Sequence, residues 1–127
     1  MKTKPALLVI AILFISFTST RYAFAQQKNA AVTMSESDTM LSFKAKYNSN
    51  KTDQIQRYMT EALRETRFSF RNTRMDAQLA LTGGINFYIK SNENELVLKF
   101  DKRKNNTADY TKFKKMCDGI KNIVQEN

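Results

Sequence analysis

Clustered basic side chains are the residues of this sequence whose type and spacing suggest a chemistry, the binding of anions. Five arginines lie between residues 57 and 74, and three basic residues follow one another at 102–104. Guanidinium and ammonium groups in clusters attract polyanions such as lipid headgroups, envelope polysaccharides or nucleic acids. The sequence therefore predicts candidate polyanion-binding residues in two clusters, which form either one site or two: Arg67, Arg71 and Arg74, and Lys102, Arg103 and Lys104.

The same clusters have a simpler interpretation as solubilising surface charge, which we favour because charged runs usually lie on solvated faces. Acidic residues near both clusters would dilute them: Glu61, Glu65, Asp76 and Asp101. Phe68 and Phe70 lie among the arginines. They would stack on a ligand if exposed, and would pack beneath this segment if buried.

Catalytic and metal-binding chemistry has little support in the composition. The chain contains no His and one Cys, which excludes Ser-His-Asp and Cys-His catalysis, histidine zinc sites and an intramolecular disulfide. The acidic residues lack the spacing of a calcium loop. We predict no catalytic residue, no cofactor-binding or metal site, and a protein that is not an enzyme.

Cys117 is open to three interpretations: a buried core side chain, an intermolecular disulfide, or a reactive thiol. Free Cys is commonly buried, and a nucleophilic thiol would need an activating base that His cannot supply here. We expect Cys117 in the core, with no bridge to a second chain.

Residues 1–25 have the pattern of a secretory signal peptide. Two lysines precede an apolar run over residues 6–17, and Ala23 and Ala25 match the small residues of a cleavage site. Cleavage is predicted between Ala25 and Gln26.

An uncleaved membrane anchor is the competing interpretation of the same segment. A spanning helix needs about 20 apolar residues, and Arg21 interrupts this run too early. We therefore expect an exported protein, periplasmic or secreted. The lack of paired cysteines in an exported chain favours a bacterial source.

The remaining chain divides into a tail and one domain. Residues 26–38 show no sustained hydrophobic period, which predicts a flexible N-terminal tail, and residues 39–127 are predicted to form a single domain. Alternating apolar residues predict four strands, and 3.6-residue periodicity predicts two helices. The predicted strands are 41–47, 76–81, 85–90 and 95–101, and the predicted helices are 53–66 and 107–125. Residues 67–75 are predicted to be an irregular connection.

The alternation also predicts two hairpin registers, because opposed residues of an antiparallel pair share one face. A three-residue loop containing two glycines places Leu79 opposite Phe87. A four-residue loop in the next hairpin places Ile89 opposite Leu96.

The element order is β-α-β-β-β-α, which predicts an α+β two-layer sandwich. Its four-stranded, mainly antiparallel sheet would carry both helices on one face and leave the other face wet. The residues predicted on that outer face are Ser42, Lys44, Lys46, Gln78, Asn86, Tyr88, Lys90, Val97 and Lys99.

Two functions are compatible with these features. The first is an exported, non-enzymatic binding or accessory domain that acts through an envelope protein partner, a hypothesis that rests on small size and missing catalytic groups. The alternative is binding to an anionic polymer or membrane surface through the basic clusters. Salt dependence separates the two, because polyanion binding falls steeply as ionic strength rises.

Overall fold

The computed structural model of this 127-residue chain describes residues 30–71 and 74–126. The predicted signal peptide, its cleavage site between Ala25 and Gln26, and residues 26–29 lie outside the described residues. Within the described ranges, no helix is long and apolar enough to cross a membrane.

An antiparallel sheet of five strands organises an α+β fold. The strands are β1 (Ala31–Glu36), β2 (Met40–Lys46), β3 (Met75–Ala80), β4 (Asn86–Ser91) and β5 (Glu95–Asp101). Their order across the sheet is β1-β2-β5-β4-β3. The β2–β5 ladder therefore joins the N-terminal hairpin to the β3–β4–β5 meander.

The prediction of four strands is wrong, because β1 is a fifth. It pairs with β2 along its whole length, from Ala31 opposite Lys46 to Glu36 opposite Leu41. These six residues lie within the segment 26–38 that we predicted as a tail. Val32 and Met34 alternate toward the core and are partly buried against it. The element order is thus β-β-α-β-β-β-α.

Two α-helices complete the fold, α1 (Thr52–Ala62) and α2 (Thr107–Gln125). The bounds of α2 are those predicted, and a capping box between Asn106 and Asp109 satisfies its first backbone N–H groups. Helix α1 is shorter than predicted. It is followed by a 3-10 turn, Arg64–Thr66, which Arg67 ends in the left-handed conformation at φ 63°.

The two helices contact each other through a small residue. Gly119 of α2 lies so close to Tyr58 of α1 that a Cβ at position 119 would overlap the Tyr58 ring and hydroxyl. Lys51, which directly precedes α1, lies beside the last turn of α2. Its ammonium donates to the carbonyl of Ile123 at 2.6 Å. A glycine is therefore required at position 119, unless Tyr58 moves.

The first hairpin register is confirmed. Leu79 is opposite Phe87, and the Leu81 N–H donates to the Ile85 carbonyl at 2.9 Å. Gly83 and Gly84 have φ values of 97° and 99°, a region that favours glycine.

The second hairpin register is wrong by two residues. Ile89 is opposite Leu98 and not Leu96, which instead is opposite Ser91. The loop is therefore shorter than predicted. A shift of two residues leaves every side chain on its original face, so hydrophobic alternation does not distinguish the two registers.

The inner sheet face and the helices share one apolar core. The Phe113 ring of α2 lies 5.3 Å from the Phe87 ring and 4.7 Å from the Phe100 ring, between centroids. Such aromatic contacts add to the stabilisation from burial itself. The largest fully buried side chains are Phe43, Phe87, Phe100, Phe113, Leu41, Ile55, Met59, Leu63, Ile89, Leu96, Leu98 and Met116.

Candidate binding surfaces

The arginine cluster lies on the connection between α1 and β3. Arg67, Arg71 and Arg74 are all exposed. The Arg74 side chain is 73% exposed, and its guanidinium lies 3.9 Å from the Glu93 carboxylate. Arg74 directly precedes β3, so it belongs to the end of the sheet where the β4–β5 turn lies.

The phenylalanines of this segment pack inward, as the solubility interpretation requires. Phe70 is 2% exposed, and its ring stacks on Phe87 with centroids 6.4 Å apart. Phe68 is half-buried and meets Phe70 edge-on at 4.8 Å. Because the Phe70 ring is buried, it is not available to stack on a ligand.

The second basic cluster is largely neutralised by carboxylates. The Lys102 ammonium lies 2.7 Å from the Glu36 carboxylate. The Arg103 guanidinium donates two hydrogen bonds to Asp101, both at 3.0 Å, and these bonds lower the pKa of Asp101 to about 2. Lys104 is exposed, and no ion pair within the described residues includes it.

Glu36 ties the end of β1 to α2. It accepts hydrogen bonds from Lys102 and from the Tyr110 hydroxyl, the latter at 2.5 Å, and Lys114 lies 3.6 Å away. The hydrogen bonds from Lys102 and Tyr110 lower the pKa of Glu36 to about 2. Lys102 therefore acts in holding the sheet together and not as a free cation.

The residues of the two basic clusters are spread over both ends of the sheet. Arg74 lies beside the turn that precedes β5, whereas Lys102 follows the last residue of β5. A strand of seven residues spans roughly 20 Å, so Arg74 and Lys102 lie at opposite ends of the sheet. Arg67, by contrast, closely follows Glu65, which pairs with Lys112 in the first half of α2, so the arginine cluster extends along the sheet.

The outer face of the sheet presents a different group of cations, which we call the lysine face: Lys44, Lys46, Lys90 and Lys99 together with Val97 and Tyr88. All four lysines are exposed, and Val97 and Tyr88 are partly exposed. Alternation predicted these residues on the outer face, but Lys44 and Lys46 join the others only because β2 pairs with β5, a position that the sequence did not indicate.

Strand register arranges the lysine face around Val97. Lys44 of β2 and Lys90 of β4 are both opposite Val97 of β5, which places their backbones about 10 Å apart on either side of it. Lys99 is the next outward-facing residue along β5. It is opposite Tyr88, and its ammonium lies 5.9 Å from the Tyr88 ring centroid.

The carboxylates near this face leave three of its lysines unpaired. Glu95 lies 3.7 Å from Lys44, and Asp76 accepts a hydrogen bond from the Tyr88 hydroxyl at 2.5 Å. The ion pairs among the described residues include none of Lys46, Lys90 and Lys99.

Two open depressions flank the lysine face. One, of about 300 Å³, lies over the outer face beside Tyr88 and Lys99, with Met40 and Gln78 in its lining. The other, of about 560 Å³, lies at the β4–β5 turn, and its lining includes Lys90. Both have room for side chains of a bound molecule.

Cys117 is fully buried, as predicted. Burial raises the pKa of its thiol, which opposes formation of the reactive thiolate. Within residues 30–71 and 74–126, no three Cys, Asp or Glu side chains come together as a metal site would require.

The comparisons with known proteins add no functional information: no family model, curated protein or solved structure matches the chain.

Proposed function

We propose that the protein is a small exported, non-enzymatic domain that binds another protein of the cell envelope or its surroundings. The observation that supports this proposal is the outer face of the sheet. Five strands present side chains there that stay exposed or half-exposed in the described chain. A broad face with a polar rim and partly exposed Val97 and Tyr88 suits a protein interface.

The proposal includes a two-layer arrangement, with both helices on the opposite face of the sheet. The contacts of Phe113 with Phe87 and Phe100 support it. In this arrangement the helices stabilise the sheet from one side, which leaves its outer face for a partner.

Export is tested by the mass of the mature protein. We expect the protein recovered from the periplasm or the medium to begin at Gln26, with or without cyclisation of that residue. A mature protein that retains residues 1–17 would contradict the export proposal.

Partner binding is tested by photo-cross-linking from matched positions. A benzophenone amino acid is placed at Val97 on the outer face or at Lys121, an exposed position on α2. After irradiation in intact cells that produce the protein, we expect a discrete protein adduct from position 97 and none from position 121. Adducts of equal yield from both positions, or none from position 97, would contradict the proposal.

A second candidate function, binding of an anionic polymer or membrane surface through the basic clusters, is supported by Arg67 and Lys104. Both are exposed, and no described carboxylate pairs with either. Retention on heparin at physiological ionic strength, abolished when Arg67, Arg71 and Arg74 are changed to Gln, would support this candidate. A protein that elutes below physiological ionic strength would contradict it.

A further inference from the structure

The charge of the lysine face is arranged in discrete points. Lys44 and Lys90 lie about 10 Å apart across the strands, and Lys99 lies roughly 7 Å along β5 from Val97. Lys46, Lys90 and Lys99 have no carboxylate partner among the described residues. A ligand that pairs with these ammonium groups therefore needs a few negative charges at similar spacing.

Carboxylates at the borders of the face discriminate between classes of anion. Glu95 lies at one end of the lysine face, opposite Lys46, and Asp76 lies on β3, opposite Lys90. A uniform polyanion carries closely spaced charges, about one per 1.7 Å of axis in duplex DNA. Such a polymer would meet these carboxylates as well as the lysines, whereas a polypeptide can place its charges to avoid them.

The apolar residues at the centre of the lysine face also favour a polypeptide ligand. Val97 lies between Lys44 and Lys90 and is followed along β5 by Lys99. Tyr88 borders the depression of about 300 Å³, whose lining also includes Met40. A ligand with apolar side chains between its acidic groups would bury this centre, which a polysaccharide sulfate or a phosphate backbone would not. We propose that the lysine face binds an acidic, partly apolar segment of the partner protein.

This inference rests on the proposed function and is tested on the mature protein with a defined probe. The probe is a fluorescein-labelled peptide in which pairs of Glu alternate with pairs of Val around a central Phe, so that an extended conformation presents both residue types to the lysine face. We expect the double substitution Lys90→Gln with Lys99→Gln to weaken binding roughly tenfold at low salt, as the loss of two exposed ion pairs predicts. A peptide with Gln in place of every Glu should not bind.

The matched control changes the net charge equally at another surface. Lys115 and Lys121 lie exposed on α2 and form no ion pair within the described residues. Lys115→Gln with Lys121→Gln should leave the affinity for the peptide within twofold of the original. Equal weakening by both double variants, or no binding of the peptide at low salt, would overturn the inference.

Competition separates the peptide from the other anions. Heparin and phosphatidylglycerol vesicles are tested against the bound peptide, and we expect either to displace it only at high excess. If either one binds more tightly and loses affinity in the Lys90/Lys99 variant, the face serves a polyanion and the inference is wrong.

Failure of this inference is distinguishable from failure of the proposed function. Cross-linking from position 97 does not depend on the charge of the partner. An adduct from position 97 without peptide binding would leave the protein partner in place and reject its acidic chemistry. Absence of both would reject the two proposals together.

Discussion

The two faces of the sheet are built from the same strands but depend on different physical interactions. Phe87 and Tyr88 are adjacent in β4, yet the first is fully buried and the second is partly exposed. The inner face is specified by volume, since its side chains fill a core shared with the helices. The outer face is specified by charge and spacing. Substitutions on the inner face should therefore change stability, and those on the outer face should change binding.

The largest expected effect is the loss of an inner-face ring. Phe87→Ala removes a ring that contacts Phe70 and Phe113, and should lower the free energy of unfolding by about 3–5 kcal/mol. Tyr88→Ala is the matched outer-face change and should cost less than about 1 kcal/mol. Urea denaturation followed by circular dichroism measures both. The reverse order would show that the faces are assigned incorrectly.

A smaller effect is expected where the helices touch. Gly119→Ala places a methyl group against Tyr58 and should cost about 1–3 kcal/mol, the usual range for overpacking. In a Tyr58→Ala background the same change should stabilise by about 0.5–1 kcal/mol, because alanine is the better helix former. Chemical denaturation of the four proteins in this cycle gives both values. Equal effects in the two backgrounds would contradict the close approach of the helices.

Glu36, at the end of β1, should make the stability of the protein depend on pH in the acid range. Its pKa is about 2 in the folded protein against 4.5 ordinarily. The carboxylate therefore stabilises the fold above pH 4.5, and this contribution is lost as the pH falls from 4.5 toward 2.

Glu36→Gln should flatten that decline and should cost about 1 kcal/mol or less at neutral pH, since the group is partly exposed. Urea denaturation at a series of pH values tests this expectation. The pKa values of Asp101 and Glu65 are also lowered. The free energy of unfolding of the variant should therefore still decrease somewhat as the pH falls. An unchanged profile in the variant would show that Glu36 does not contribute.

The smallest expected effect on stability belongs to the lysine face. Lys90→Gln with Lys99→Gln should change the free energy of unfolding by less than about 0.5 kcal/mol, as exposed substitutions usually do. Denaturation midpoints and slopes measure this directly. A loss near that of Phe87→Ala would mean that the outer face is structural, and the contrast between the two faces would not hold.

Hydrophobic periodicity correctly predicted the elements in which one face is continuously apolar and must be buried. Helix α2 has the predicted bounds because a continuous apolar stripe leads to Phe113 and on to Val124. The β3–β4 hairpin has the predicted register because two glycines fix the turn and one face must be buried. In both cases the local backbone geometry and the burial of one face favour the same structure.

The errors occur where that signal is weak. The segment Ala31–Glu36 carries only Val32 and Met34 as sizeable apolar residues, so its alternation was too short to distinguish an edge strand from a tail. The β4–β5 register is undetermined by alternation because a two-residue shift conserves both faces.

The candidate site was the least predictable feature, because charge clusters in a sequence need not be clusters in space. Lys102 and Arg103 are adjacent in the chain and are bound to different carboxylates, Glu36 and Asp101. Lys44 and Lys90 are distant in the chain and become neighbours only through the strand order.

The β2–β5 ladder also has a consequence for the kinetics of folding. Its innermost pair joins Lys46 to Glu95, so the centre of the sheet closes a loop of about 50 residues, at an entropic cost that local hairpins do not have. Contacts of such long range slow folding. During synthesis from the N-terminus, the native sheet is incomplete until residue 101 has emerged. A chain that folds slowly stays unfolded for longer after synthesis, a property that is compatible with the export proposed above.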